Sequence, residues 1–188
     1  MIDNFFLVWV SVHALVLGFG FAIGLVSGLK IPILGDVIAT FLVGRLLIFT
    51  QNYLLINQFE ISGNWILYSL IGLIVGVGGG FLFIFLTSRV LGLKNSHILS
   101  LPITLSVLTI FQVFQIQNLI ISLYVWPIIS MAALIFGFIV LYIINRRYDL
   151  ALELLANREP DFSKIKVWAF TGLILGLFYG VFTGFVLI

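Results

Sequence analysis

The feature that most constrains this chain is its long stretches without a charged residue. Residues 98–144 contain no Asp, Glu, Lys or Arg over 47 positions, and residues 5–29 and 61–88 also lack all four residue types. A helix that crosses a membrane needs about 20 predominantly apolar residues. Soluble domains carry roughly a quarter charged residues, whereas this chain carries 9%. The sequence therefore predicts an integral membrane protein, and it excludes a soluble globular domain, a disordered chain and a charge-driven nucleic-acid-binding protein.

Six transmembrane helices in an all-α bundle are predicted from these stretches. The apolar runs are continuous, whereas the strands of a membrane β-barrel alternate apolar and polar residues. The 47-residue stretch is long enough for two helices joined by a tight turn. The predicted helices cover about 5–29, 32–56, 61–88, 98–118, 124–145 and 167–188. Residues 146–166 are predicted to form a cytoplasmic amphipathic extension and linker, within a single transmembrane domain over 1–188.

The distribution of positive charge predicts the orientation of the bundle. Eight of the nine Lys and Arg residues lie in the linkers after the first, third and fifth helices: Lys30, Arg89, Lys94, Arg146, Arg147, Arg158, Lys164 and Lys166. Because cytoplasmic loops are rich in Lys and Arg, these linkers are expected in the cytoplasm and both termini outside. Trp9, Trp65 and Trp126 fall near the outer ends of the odd-numbered helices, where an aromatic belt at the membrane surface is expected.

A repeated spacing of tryptophan and glycine suggests internal repeats. Glycines follow both Trp9 and Trp65 by 11 and 15 residues (Gly20, Gly24, Gly76 and Gly80). Gly137 follows Trp126 by 11 residues, but Leu141 holds the second position. The spacing predicts a two-helix hairpin used two or three times, whose copies share one orientation about an axis along the membrane normal. The alternative is coincidence in a composition dominated by Leu, Ile, Phe and Gly.

One stretch carries a resemblance to a group of known sequences. Residues 49–76, FTQNYLLINQFEISGNWILYSLIGLIVG, resemble a repeat of uncharacterised multi-pass bacterial membrane proteins, many of them cyanobacterial, that have a Gln-Trp-x-x-Leu segment, a polar turn and a Trp- and Gly-rich helix. Here Asn52 stands where that pattern has Trp, and Asn64-Trp65 replaces its Trp pair. The resemblance implies a multi-pass protein of the bacterial cytoplasmic (inner) membrane or thylakoid membrane, and it implies no activity or site residues.

Glycines at intervals of four are the predicted helix-packing residues. They place small residues on one side of a helix and let two backbones approach closely, which is a main source of attraction between helices in lipid. The candidates are Gly20, Gly24, Gly72, Gly76, Gly80, Gly172, Gly176 and Gly180. The two alternatives are packing inside the chain and docking of one such face, with the sixth helix as the candidate, against another copy or another subunit.

Arg45 is the one cationic residue inside a predicted span. It lies about 16 Å from the outer end of the second helix at 1.5 Å per residue, and so near the membrane midplane. A charge at this depth is costly, so it is expected to face the bundle interior with a partner. No acidic residue lies at the same depth. Three alternatives stay open: a structural contact with helix carbonyls, contact with an anion or substrate, and a pair with another subunit.

Neutral polar side chains are concentrated in the outer half of the bundle. With Arg45, they are the candidate ligand- or partner-binding residues: His13, Gln51, Asn52, Gln112 and Gln115. Buried amides need hydrogen-bond partners, so they either join helices to one another or line a wet cavity that opens outward. The chain has no Cys and only two His, so we expect no metal site, haem or other cofactor.

Two functions are compatible with these features, and neither is enzymatic, because no set of residues for acid–base or nucleophilic catalysis is evident at a common depth. The first is a non-catalytic membrane subunit or scaffold that packs through glycine-lined helices with itself or a partner. The alternative is a small-solute or anion transporter or binding subunit with an outward-facing polar site around Arg45. The expected partners are the lipid bilayer, a second copy or another membrane subunit, and a possible cytoplasmic protein at residues 146–159, but not nucleic acid.

Overall fold

A computed structural model describes residues 2–30, 34–59, 64–116, 125–144 and 165–187. These residues form six helices, α1 (Ile2–Lys30), α2 (Leu34–Phe59), α3 (Trp65–Leu91), α4 (Leu93–Ile116), α5 (Val125–Ile144) and α6 (Ile165–Leu187). The fold is therefore all-helical over the described part of the chain. The predicted extension at 146–166 lies outside the described residues, apart from its last two positions, which begin α6.

The turn between α3 and α4 is much shorter than the sequence suggested. We expected a linker over residues 89–97, but helix continues on both sides of a single residue, Gly92. Gly92 has φ 78° and ψ 152°, a backbone conformation that is essentially restricted to glycine. Two hydrogen bonds close the turn: the Ser96 amide donates to the Gly92 carbonyl at 3.1 Å, and Thr87 Oγ1 donates to Ser96 Oγ at 2.9 Å.

The six helices form a closed ring in chain order. Each helix contacts the next one along the chain, and α6 returns to contact α1. The most extensive contacts are those of α1 with α6 and of α3 with α4. This arrangement gives every helix one face toward a shared interior and one face toward the surroundings.

Glycines lie at the two closest helix contacts. Along α6, Gly172 faces the carbonyl oxygen of Leu17, Gly176 faces that of His13, and Gly180 faces Val10. A Cβ atom at Gly172 or Gly176 would collide with backbone atoms of α1. The antiparallel helices α1 and α6 thus touch through their main chains.

At the α3–α4 contact, glycines likewise face the backbone of the neighbouring helix. A Cβ at Gly76 would lie 2.5 Å from the Thr104 carbonyl oxygen, and one at Gly72 would lie 3.1 Å from the Leu108 carbonyl oxygen. Gly80 faces the Thr104 side chain. Elsewhere, Gly20 on α1 faces the Val43 side chain of α2, and Gly24 is buried.

The outer surface of the ring is apolar on every helix. Exposed large apolar side chains include Leu15, Phe19, Leu42, Leu46, Leu82, Phe85, Leu93, Ile110, Ile128, Ile135, Phe170 and Phe185. Contiguous apolar surface of this kind marks contact with a membrane or another protein. Within the part of the chain that the structure describes, three helical segments are long and apolar enough to cross a membrane: Asn4–Gly24 in α1, Trp65–Leu91 and Ile165–Leu187. These features are consistent with a membrane protein.

Candidate functional site

Polar side chains from all six helices meet in the interior of the ring. They are His13 on α1, Gln51 on α2, Ser69 on α3, Gln112 on α4, Ser130 on α5 and both Tyr179 and Thr183 on α6. All are fully buried except Tyr179, which is 2% exposed. We call this set the polar core. It unites three of the residues predicted as a binding site, His13, Gln51 and Gln112.

The centre of the polar core is a chain of hydrogen bonds across four helices. The Trp9 carbonyl accepts from His13 Nδ1 at 2.7 Å, which leaves His13 Nε2 to accept from Gln51 Nε2 at 2.9 Å. Gln112 Nε2 donates to Gln51 Oε1 at 2.9 Å and to Ser69 Oγ at 3.2 Å. Each amide uses both its donor and its acceptor groups, as buried amides require.

Two tryptophans extend the chain of hydrogen bonds to α5 and α6. Trp126 Nε1 donates to Gln112 Oε1 at 3.4 Å, and Trp9 Nε1 donates to Thr183 Oγ1 at 3.0 Å. Tyr179, one turn before Thr183 on α6, is buried with its ring 5.2 Å from the His13 ring, and Ser130 Oγ has no hydrogen-bond partner among the described residues. Every helix is thereby linked to another through the interior.

The polar core follows a pattern that repeats three times along the chain. In each odd-numbered helix a polar residue follows a buried tryptophan by four positions: Trp9 and His13, Trp65 and Ser69, Trp126 and Ser130. In each even-numbered helix a polar residue follows a buried leucine by four positions: Leu47 and Gln51, Leu108 and Gln112, Leu175 and Tyr179. In the first two helix pairs these polar residues are hydrogen-bonded to each other, His13 to Gln51 and Ser69 to Gln112.

The tryptophans themselves lie inside the ring, which corrects our expectation of an aromatic belt. Trp9 and Trp65 are 0% exposed, and Trp126 is 2% exposed. They share one apolar cluster with residues from the same end of α1, α2, α4 and α6: Phe5, Leu55, Val113 and Leu187. The Trp9 and Trp126 rings meet edge to face at 6.3 Å. An indole can bury its ring when its N–H finds an acceptor, which Thr183 and Gln112 supply to two of the three.

Arg45 lies apart from the polar core, and our expectation that it faces the interior was wrong. Its side chain is exposed on the outer surface of α2. The guanidinium carbon lies 5.5 Å from the centre of the Phe49 ring, one turn further along the helix. Its neighbours Leu42 and Leu46 are also exposed. The structure therefore separates the one cation of the helix from His13, Gln51 and Gln112.

The two remaining candidates are not part of the hydrogen-bond chain as described. Asn52 is half-buried, and among the described residues its Oδ1 has no hydrogen-bond partner. Gln115 belongs to α4, but its side chain lies outside the described part of the structure. Trp65 Nε1 is a further buried donor that lacks a partner among the described residues.

The chemistry available in the polar core is that of neutral hydrogen-bonding groups. It offers amides, hydroxyls, indoles and one imidazole, but no carboxylate and no cationic lysine or arginine. Within the described ranges no three His, Cys, Asp or Glu side chains are placed to hold a metal ion. Such a set can join helices or bind neutral polar groups.

Sequence reasoning missed four members of this site, Ser69, Ser130, Tyr179 and Thr183, and it missed that the tryptophans lie in the interior. The available signal was the polar residue four positions after each tryptophan, since residues four apart share a helix face. Comparison of the chain with protein-family models, with curated proteins and with solved structures finds no match. The proposals below therefore rest on the geometry of this chain alone.

Proposed function

We propose that this chain is a non-catalytic integral membrane subunit or scaffold, built from six transmembrane helices and assembled with another membrane protein. The observation that carries the proposal is the polar core, whose amides bond to one another across the helices. Side chains that hydrogen-bond to one another in this way use their donors and acceptors to hold the helices together. Polar residues in membrane helices commonly stabilise helix packing through such interhelical hydrogen bonds.

The threefold pattern supports the repeat and the orientation in this proposal. Three hairpins, α1–α2, α3–α4 and α5–α6, each contribute one tryptophan and two buried polar residues to the interior, and the polar residues of the first two hairpins are hydrogen-bonded to each other. Hairpin repeats share one orientation, and their axis lies along the membrane normal. The symmetry is approximate, because the glycine-lined contacts fall within one hairpin, at α3–α4, and between two others, at α1–α6. With the positive charges on the cytoplasmic side, both termini lie outside.

The glycine-lined faces serve the fold itself in this proposal. The glycines spaced four apart on α6 face α1, and Gly72, Gly76 and Gly80 of α3 face α4, so neither face is free for a partner. A surface for assembly must therefore lie on the outer side of the ring, where apolar side chains are exposed on every helix.

The transport alternative loses the arrangement on which it depended. It required Arg45 to line one outward-facing site with His13 and Gln51. Arg45 is exposed on the outer surface, whereas the other two are completely buried and hydrogen-bonded to each other. No other described feature favours transport over assembly.

Native mass spectrometry of the chain, extracted gently from its own membrane, tests this function. We expect a complex with a second polypeptide at a fixed ratio, and the same preparation in a denaturing detergent supplies the mass of the bare chain as the control. A bare monomer in the gentle extract that retains a small anionic molecule would contradict the proposal and favour the transport alternative.

A further inference from the structure

The outer face of α2 carries a charge that the described chain does not neutralise. Arg45 lies 11 residues from the start of α2 and 14 from its end, or about 16 and 21 Å at 1.5 Å per residue. It is exposed, and so are Leu42, Leu46 and Phe49 on the same side of the helix. We call these four residues the α2 outer face.

It would be energetically costly to surround the Arg45 side chain with lipid alone. Arginine is among the residues least tolerated at the centre of a membrane helix, and its recorded contact is with the Phe49 ring at 5.5 Å. A cation over one aromatic ring is only weakly stabilised. Arginines near helix ends reach the headgroups, but Arg45 lies in the middle of its helix. An anionic group on another molecule would remove the cost.

None of the chain's seven acidic residues lies within eight positions of Arg45 in the sequence. Asp36, the one acid within α2, lies nine residues away, or about 14 Å along the helix axis. The other six acids, Asp3, Glu60, Asp149, Glu153, Glu159 and Asp161, lie within two residues of a helix end or between α5 and α6. A second copy in the same orientation carries its Asp36 at the same depth as the first copy's, and so does not meet Arg45 either.

We propose that the α2 outer face binds a transmembrane helix of a different polypeptide, which places an Asp or Glu side chain opposite Arg45. A carboxylate accepts two parallel hydrogen bonds from a guanidinium, and such a pair is strengthened in the low dielectric of a membrane. Apolar side chains of the same helix would cover Leu42, Leu46 and Phe49. This inference rests on the proposed function, because it specifies the class of partner with which the subunit assembles.

Site-specific photo-cross-linking in the membranes where the full chain is made tests the inference. A photoreactive amino acid replaces Leu46, next to Arg45, and the control replaces Ile74, an equally exposed residue on α3 (52% and 58% exposed). We expect position 46, and not 74, to capture one polypeptide whose cross-linked peptide is a transmembrane helix with Asp or Glu within one turn of the cross-link. Capture of lipid only, or of a second copy of this chain, would overturn the inference.

Charge variants separate this inference from the proposed function. Arg45→Leu should lower the yield of the cross-link by about tenfold or more, because it leaves the partner's carboxylate unpaired, whereas Arg45→Lys should retain most of it. Arg89→Leu, which removes an exposed arginine at the end of α3, should have no effect. Arg45→Glu combined with Arg at the partner's acidic position should restore the cross-link.

Native mass spectrometry of the Arg45→Leu variant separates a failure of this inference from a failure of the proposed function. If native mass spectrometry shows a fixed-ratio partner that Arg45→Leu leaves bound, this inference fails and the proposed function stands. If the wild-type chain has no partner, both fail. An unchanged unfolding transition of Arg45→Leu in detergent would show that any loss of the cross-link comes from the interface and not from misfolding.

Discussion

At the scale of single residues, the polar core shows how neutral side chains become tolerable in an apolar interior. An isolated buried amide leaves donors and acceptors unsatisfied, at a cost of about 1–3 kcal/mol for each protein hydrogen-bonding group. Gln51 avoids that cost because it donates to the His13 imidazole and accepts from Gln112. Gln112 avoids it because it donates to Gln51 and accepts from the Trp126 indole. The core is therefore a cooperative unit in which each residue depends on its neighbours.

Replacement of Gln51 by methionine tests this dependence. Gln51→Met keeps the approximate volume but leaves His13 Nε2 and one Gln112 N–H without their partner, so we expect a loss of about 1–3 kcal/mol in the free energy of unfolding. The measurement is reversible unfolding in mixed micelles with increasing dodecyl sulfate. Asn57→Met, at an exposed amide of the same helix, is the matched control and should leave the free energy of unfolding nearly unchanged. Equal stability of the two variants would show that the core bonds do not hold the helices together.

At the scale of helices, close main-chain contact requires glycine at particular positions of α3 and not at others. Gly76 and Gly79 lie within one turn of each other, yet a Cβ at Gly76 would lie 2.5 Å from the Thr104 carbonyl oxygen, and a Cβ at Gly79 would meet nothing within 4 Å. Thr104 Oγ1 also donates to the Gly76 carbonyl at 3.1 Å. The close approach of α4 therefore requires glycine at position 76.

The matched substitutions Gly76→Ala and Gly79→Ala should act in opposite directions. We expect Gly76→Ala to lower the free energy of unfolding by about 1–3 kcal/mol, because the added methyl group forces backbone to shift. Gly79→Ala should be neutral or stabilising by up to about 1 kcal/mol, because alanine favours helix more than glycine does. The same micelle titration measures both, and comparable losses in the two variants would exclude a special role for the α3–α4 contact.

At the scale of the whole molecule, the distribution of polarity is the reverse of that in a soluble protein. Polar groups are buried at the centre of the ring, and large apolar side chains cover its outside. This organisation suits an apolar surrounding, because the hydrogen-bonding groups are satisfied within the protein. A molecule that covers the outer surface then needs a complementary apolar shape and, opposite Arg45, a negative charge.

The orientation of this molecule in the membrane is open to direct test. Because the positive charges cluster after α1, α3 and α5, we expect a tag at the C-terminus to be reachable by an antibody outside intact cells. A tag near Asn157 should be reachable only after the membrane is permeabilised. The opposite pattern, or access to both tags in intact cells, would contradict the proposed orientation.

The lengths of the helices were predictable from the sequence, but the direction in which their side chains point was not. Apolar runs and charge-free stretches located all six helices to within a few residues, apart from the shorter turn at Gly92. A helix that is apolar on all sides has no polar stripe to distinguish its inner face from its outer face. The sequence therefore predicts Trp9 at the membrane surface and Arg45 in the interior, whereas Trp9 is buried inside the ring and Arg45 is exposed on its outside.

Cysteine accessibility tests whether the polar core is a closed interior or a water-filled site. The chain contains no cysteine, so Ser69→Cys and Ser130→Cys each introduce a single thiol into the core, and Asn64→Cys introduces one at an exposed position. Intact membranes are treated with a water-soluble, membrane-impermeant thiol reagent. We predict that Cys at position 64 is modified and that Cys at positions 69 and 130 is not until the protein is unfolded. Modification of both core positions at the rate of position 64 would contradict the account, because it would place water among these residues.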